Sequence, residues 1–312
     1  MWSQTYDRNL SDVLKVQTDV ATAVAEQLEI KLVGYEATRI ELGGTRIPEA
    51  YDAYLRAEEL LTTGDVKEAD LRAALAALDQ AIALDLNYAL AQCRRAAALG
   101  NLSIFVDLKA EELDRVRGQA LQAAERAVAL APNLGEAHLA LALARPYDFL
   151  DFGHAAPEFD QALALAPGSA RVQAHYAGFA GQLGHFETAV NRARRAVTLD
   201  PQNIDLLIGL GQVLSWASRY NEALTVLQAA KALRPSSIFI NYNIAATLRA
   251  SGQFEQARQL CASPAIPAES HGRLLCLAKA YHGLALPRRR RRRRGRRRST
   301  TRWPMERPSG KR

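Results

Sequence analysis

The chain has 312 residues, room for one elongated or two compact domains, and a formal net charge of +7. That charge is unevenly placed: residues 287–312 hold 13 Arg, one Lys and one Glu, a local +13, which leaves −6 on residues 1–286. The body is therefore mildly acidic, and the overall pI of about 9.4 is no sign that it binds nucleic acid.

Three widely spaced cysteines, Cys93, Cys261 and Cys276, form no CxxC pattern and no Cys/His cluster. They read as small buried thiols in a reducing compartment, not as a disulfide framework or a zinc site. Met1 is followed by WSQTYDRN, with no apolar core of a signal peptide. No stretch approaches the ~18–20 apolar residues of a membrane span. A cytoplasmic, membrane-free protein is expected.

From the N-terminus, Ser11 is placed to cap a helix running to about Leu32. Val13, Val16, Val20, Val24 and Leu28 share one face of it at helical spacing, and that stripe requires a partner. Residues 1–46 are expected to form a unit of their own, with the strand-like WSQTY poorly ordered.

Helical hairpins are expected over residues 47–286. The segments LDQAIALDLN, AERAVALAPN, FDQALALAPG, ARRAVTLDPQ and LQAAKALRPS share a register marked by Leu86, Pro132, Pro167, Pro201 and Pro235. The intervals are 46, 35, 34 and 34 residues. A 34-residue period with Pro after a helix is the mark of the tetratricopeptide repeat. Twelve residues before each proline stands a small residue (Ala120, Ala155, Ala189, Ala223), and five before stands another (Ala127, Ala162, Ala196, Ala230). Alanine at both places lets two helices approach closely. Turn signals fall at Gly184, Ser218 and Gly252, each followed by an aromatic (Phe186, Tyr220, Phe254) that fits the space between helices. Full burial of such a ring contributes roughly 1.5–3 kcal/mol. The first two repeats are longer, with TTGDVKEAD and LSIFVDLK expected to stretch their turns. In the third, Pro146 is expected to end the first helix early. The fold class expected is all-α, a right-handed α-solenoid of about six repeats.

Ser270–Leu286 reads as the first helix of a seventh repeat, with Leu274, Leu277, Ala278 and Tyr281 on its apolar face. Instead of a second helix comes an arginine run: Arg288, Arg289, Arg290, Arg291, Arg292, Arg293, Arg294, Arg296, Arg297 and Arg298. Residues 287–312 are expected to be a disordered tail. Three readings stand side by side: a functional arm binding polyanions with steep salt dependence, an inert extension whose like charges repel, and a reading-frame slip that replaced the natural C-terminus.

WSQTYDRNLSDVLKVQTDVATAVAEQL (Trp2–Leu28) resembles the end of the TolB-like segment of bacterial regulators. In those chains a winged-helix domain or a class III adenylate cyclase domain precedes the TolB-like segment, and tetratricopeptide repeats follow it. IPEAYDAYLRAEELL (Ile47–Leu61) resembles their usual first repeat helix, and YDFLDFGHAAPEFDQALALAPG their third repeat. The resemblance implies a signalling or regulatory protein. With so little sequence before Trp2, it also implies a fragment of a cyclase-type regulator without the catalytic domain.

The sequence contains no GxxxxGK[ST], GxSxG, HExxH or glycine-rich dinucleotide fingerprint. His154, His175, His185, His271 and His282 are scattered, and the pairs Glu58–Glu59 and Glu111–Glu112 read as solvated helix faces. No enzyme activity, cofactor or metal is expected. A binding role has a mechanism, because stacked hairpins expose the first helix of each on a concave wall. In the 34-residue register the groove-facing positions are Arg171, Ala174, Gly178 and Gly181 in repeat four. Repeat five gives Asp205, Ile208, Gln212 and Ser215, with Trp216 beside them, and repeat six gives Phe239, Tyr242, Ala246 and Arg249. Small residues in repeat four open the groove. Phe239 and Tyr242 either anchor a peptide side chain or pack on the following helix. The register lacks the Lys/Asn pattern of the clamp that holds acidic chaperone tails. A non-catalytic scaffold for a protein or peptide is therefore expected; the alternative is a solenoid that carries a nucleic-acid-binding tail.

Overall fold

The structure is a computed structural model that describes residues 41–62, 67–145, 152–264, 266 and 271–285. The N-terminal valine stripe and the arginine run lie outside the described residues. Within them the chain is helical, with no strand. It falls into two compact units, one within Met1–Phe179 and Asn191–Pro201, the other within Ala180–Val190 and Gln202–Arg312.

In the first unit α1 (Pro48–Thr62) packs on α2 (Glu68–Leu84), α3 (Ala89–Phe105) on α4 (Ala110–Leu130), and α5 (Gly135–Ala144) on α6 (Phe152–Leu165). The first helices α3 and α5 also touch one another. Then come α7 (Ala170–Gln182) and α8 (Phe186–Leu199). In the second unit α9 (Ile204–Trp216) packs on α10 (Tyr220–Leu233), α11 (Ile238–Ala250) on α12 (Phe254–Ala262), and α12 on α13 (His271–Ala285). There α11 lies beside both α9 and α13.

The alanine register produces this arrangement. Ala74, Ala189 and Ala223 are fully buried, Ala120 and Ala155 nearly so, and Ala81, Ala127, Ala162, Ala196 and Ala230 are at most 1% exposed. A methyl group at these positions lets the paired helices approach to where a longer side chain would force them apart. The second alanine also ends its helix. The carbonyls of Ala81, Ala127, Ala162, Ala196 and Ala230 accept from the N–H groups of Asp85, Ala131, Ala166, Asp200 and Arg234, at 2.9–3.1 Å. Proline, or Leu86, follows directly; proline has no N–H to continue the ladder.

Two residues after Pro167, Pro201 and Pro235 stand Ser169, Asn203 and Ser237. Each accepts a backbone N–H of the helix it opens: Val172 at 3.3 Å, Asp205 at 3.1 Å and Ile240 at 3.4 Å. These caps satisfy donors that a helix start leaves orphaned. Leu134 and Tyr88 at the corresponding places offer no side-chain cap and are buried as packing residues instead.

Within three hairpins the turn is one repeated motif. Gly184, Ser218 and Gly252 take left-handed φ values of +81°, +63° and +85°. The next N–H reaches five residues back: His185 to Ala180, Arg219 to Leu214 and Gln253 to Leu248, at 2.8–2.9 Å. This is the Schellman closure of a helix C-terminus. Phe186, Tyr220 and Phe254 after it are half-buried rather than fully enclosed.

Two expectations are corrected here. LSIF does not stretch a turn: Leu102–Phe105 complete α3, and the extra length of the second hairpin goes into a 17-residue α3 and a 21-residue α4. Periodicity in that stretch was too weak to separate a longer helix from a longer loop. Second, Cys261 and Cys276 are joined in a disulfide, leaving Cys93 as a buried free thiol. The pairing arises because α12 and α13 pack together and bring the two Cα atoms to 5.8 Å, an adjacency that sequence spacing does not reveal. The early end of α5 does occur. It stops at Ala144, and Arg145, preceding Pro146, is extended at φ −62°, ψ 125°, as a residue before proline tends to be.

Candidate functional site

The half-open strip along α11 is set by burial. Ile240, Asn241, Ile244, Ala245, Thr247 and Leu248 face inward, so Phe239, Tyr242, Ala246 and Arg249 share the opposite face at spacings of three to four residues. Phe239 is 47% exposed. Tyr242 is part-buried and packs on the cluster of Ala245, Cys261 and Cys276. The two readings of this aromatic pair thus divide: Tyr242 belongs in part to the packing of the following helices, and Phe239 remains open. Arg249 is half-buried, its Nε is shielded from solvent without a hydrogen-bond partner, and burial pushes its pKa below the ordinary arginine value.

On α9, Asp205 and Gln212 are exposed, Ser215 is half-buried and Trp216 is 37% exposed. Ile208 is not part of this strip. It is 4% exposed and packs in the core with Leu227, Ile240 and Ile244. The strip runs instead through Asp205, Gly209, Gln212 and Trp216, because Ile208 is buried against Leu227 of α10 and Ile240 and Ile244 of α11. Gly181 is likewise covered: Trp216 lies over it, and a Cβ there would sit 2.7 Å from Cε3.

In the first unit Arg171 and Ala174 are half-buried on α7, and Gly178 has open space where a Cβ would project. Beside Ala174, His175 forms part of a polar group that sequence reasoning missed. Arg94 on α3 makes a bidentate ion pair with Glu58 on α1, both side chains 22% exposed. Burial works against the charge of Arg94, but Glu58 and Tyr54 outweigh it and hold its pKa above the ordinary value. Burial and the positive charge of Arg94 together push His175 down to about 4. Glu58 is therefore a half-buried ion-pair partner, not a solvated face. A second group, also unforeseen, joins His138 Nδ1 to Glu158 at 2.7 Å, with Arg145 3.7 Å from the same carboxylate. Arg192 sits 5.7 Å over the Tyr176 ring, whose hydroxyl donates to Asp160 at 3.0 Å. The intervals of 16, 20 and 36 residues across the Tyr176–Asp160, His138–Glu158 and Arg94–Glu58 contacts could have suggested them only once the hairpin register was known.

Among the described residues no three His, Cys, Asp or Glu side chains gather as a metal site requires, and no helix is long and apolar enough to cross a membrane. What the arrangement offers is a partly exposed strip along neighbouring first helices that carries Asp205, Trp216, Phe239 and Arg249.

Repeated antiparallel helix pairs with alanine seams define an all-α solenoid of the tetratricopeptide type. The comparisons with known proteins agree on this fold. Residues 182–239 match the tetratricopeptide repeat family. A human IFIT1 dimer with m7Gppp-AAAA is similar with a TM-score of 0.57 at 15% identity, over 79% of this chain and 54% of that one. The APC/C hetero-tetramer Cut9–Hcn1 gives a TM-score of 0.54 at 16% identity, over 86% and 54%. In sequence, 61 residues are 36% identical to a putative adenylate cyclase 3 of Rhizobium meliloti (strain 1021), covering 20% of this chain and 10% of that protein. The chain thus spans about half the length of the two structures and a tenth of the cyclase relative.

Proposed function

We propose that the protein is a non-catalytic scaffold that holds a peptide or a segment of a partner protein on the first-helix face of its second unit. The observation that carries this is Phe239, an aromatic 47% exposed on the well-capped α11, with a second aromatic, Trp216, 37% exposed on the neighbouring α9. Rigid, partly exposed aromatics on a scaffold helix are the usual anchors of peptide recognition. The tetratricopeptide fold supports a binding role. Panning a displayed dodecapeptide library on the full-length chain tests the reading. Selected peptides should lose about tenfold or more in affinity on Phe239→Ala; unchanged binding would refute this site.

A second reading concerns residues 288–298. Ten clustered arginines would hold RNA or DNA through phosphate contacts, with affinity falling steeply as salt rises. Removing them should abolish polyanion binding and leave peptide capture intact. The match to a putative adenylate cyclase supports a place in a signalling protein. A cytoplasmic site of action is part of this proposal.

A further inference from the structure

We infer that Arg249 is the anchor for a carboxylate carried by the guest, so that the partner of the α11 strip is an acidic peptide segment. The inference rests on the binding reading above and adds the chemical class of the partner. Arg249 stands in the last turn of α11, three residues from Ala246 and seven from Tyr242, on the same face as Phe239. Its Nε is closed off from water and unpaired, and no carboxylate or carbonyl of the described residues receives its guanidinium. Several half-buried arginines are paired, Arg94 with Glu58 and Arg145 with Glu158, and Arg273 donates to the carbonyls of Ile266 and Ala262, whereas among the described arginines Arg249 alone has a shielded nitrogen without a partner.

An arginine side chain that is partly desolvated without a counter-ion weakens the fold that carries it. Part of its charge is balanced by the negative end of the α11 dipole, which keeps the group charged without occupying its donors. Guanidinium presents donors in a planar fork that matches a carboxylate bidentately. A guest with an acidic residue placed about three helical turns from an apolar one would fill both ends of the strip, the apolar group over Phe239 and the acid on Arg249. Such charge-assisted bonds contribute more than a neutral pair. Replacing Arg249 should also stabilise the unliganded protein, a result that ordinary packing residues do not give.

The test pans the dodecapeptide library in parallel against the full-length wild type, Arg249→Met and Arg249→Glu. The arginines of 288–298 are present in all three chains, so any acid they attract enters every pool equally. Wild-type peptides should share an acidic residue at a fixed distance from an aliphatic or aromatic one. On Arg249→Met that acid should vanish while the apolar position remains, with wild-type peptides bound about tenfold more weakly or worse. On Arg249→Glu a Lys or Arg should take its place, and Arg249→Met should melt at or above the wild-type temperature. Peptides that bind wild type and lose affinity on Phe239→Ala, yet carry the same acid on Arg249→Met, would overturn this inference and leave the binding reading standing. No enrichment on any chain would overturn both.

Discussion

The indole of Trp216 lies directly on the Cα of Gly181, so close that a methyl group at residue 181 would meet Cε3 at 2.7 Å and Cζ3 at 2.9 Å. A residue expected to open a groove instead receives a tryptophan. Gly181→Ala should therefore cost about 1–3 kcal/mol through overpacking, unless the indole swings outward. Chemical denaturation gives the cost, and a red-shifted Trp216 emission, read in a chain with Trp2 and Trp303 replaced by Phe, reports the swing. A neutral substitution with unchanged emission would contradict the contact.

Ser218 occupies the left-handed position that Gly184 and Gly252 fill in the neighbouring turns. A side chain pays roughly 1 kcal/mol there that glycine does not. Ser218→Gly should stabilise the chain by about that amount, while Gly252→Ala should destabilise it by a similar one. Urea midpoints of the two variants check the opposite signs.

The Cys261–Cys276 bond closes a loop of 15 residues and ties α13 to α12. In the chain-entropy picture such a bond is worth about 3 kcal/mol. In a repeat array the effect should stay local, since each unit contacts only its neighbours. Reduction, or Cys276→Ser, should raise amide exchange in α13 and leave α9 and α10 almost unchanged. Uniform loosening of the second unit would contradict this.

His175 supplies the pH dependence. Its folded pKa is lowered to about 4 against 6.5 for a free imidazole, by burial first and Arg94 second. Between those values the unfolded chain takes up a proton that the folded chain refuses, so stability falls as pH drops from about 6.5 to 4. The full shift corresponds to at most about 3 kcal/mol, and partial solvent access of the ring trims it. His175→Gln should flatten the stability profile over that window and leave it unaltered above pH 7.

What the sequence disclosed was whatever repeats locally. Proline spacing, the alanines twelve and five residues before it, and the glycines of the turns are properties of one hairpin, and 34-residue periodicity displays them. The caps at Ser169, Asn203 and Ser237 follow the same period and were there to be read. Contacts between hairpins were not legible. Ile208 turned inward because of what α10 and α11 place against it, Glu58 found Arg94 across 36 residues, and Cys261 found Cys276 only through the packing of α12 on α13. Each depends on how far one helix is rotated against the next, and a repeat register fixes that to within a residue at best.

The alanine seam is the physical basis of the fold, and adjacent residues of α10 test it. Ala230 is fully buried at the seam, and Ala229 beside it is exposed. The measurement is the urea unfolding free energy of Ala230→Leu against Ala229→Leu. The added bulk should cost about 1–3 kcal/mol at residue 230, by prising α10 from its partner, and stay within about 0.5 kcal/mol at residue 229. Equal effects at the two positions would show that the helices are not held together by close approach at alanine.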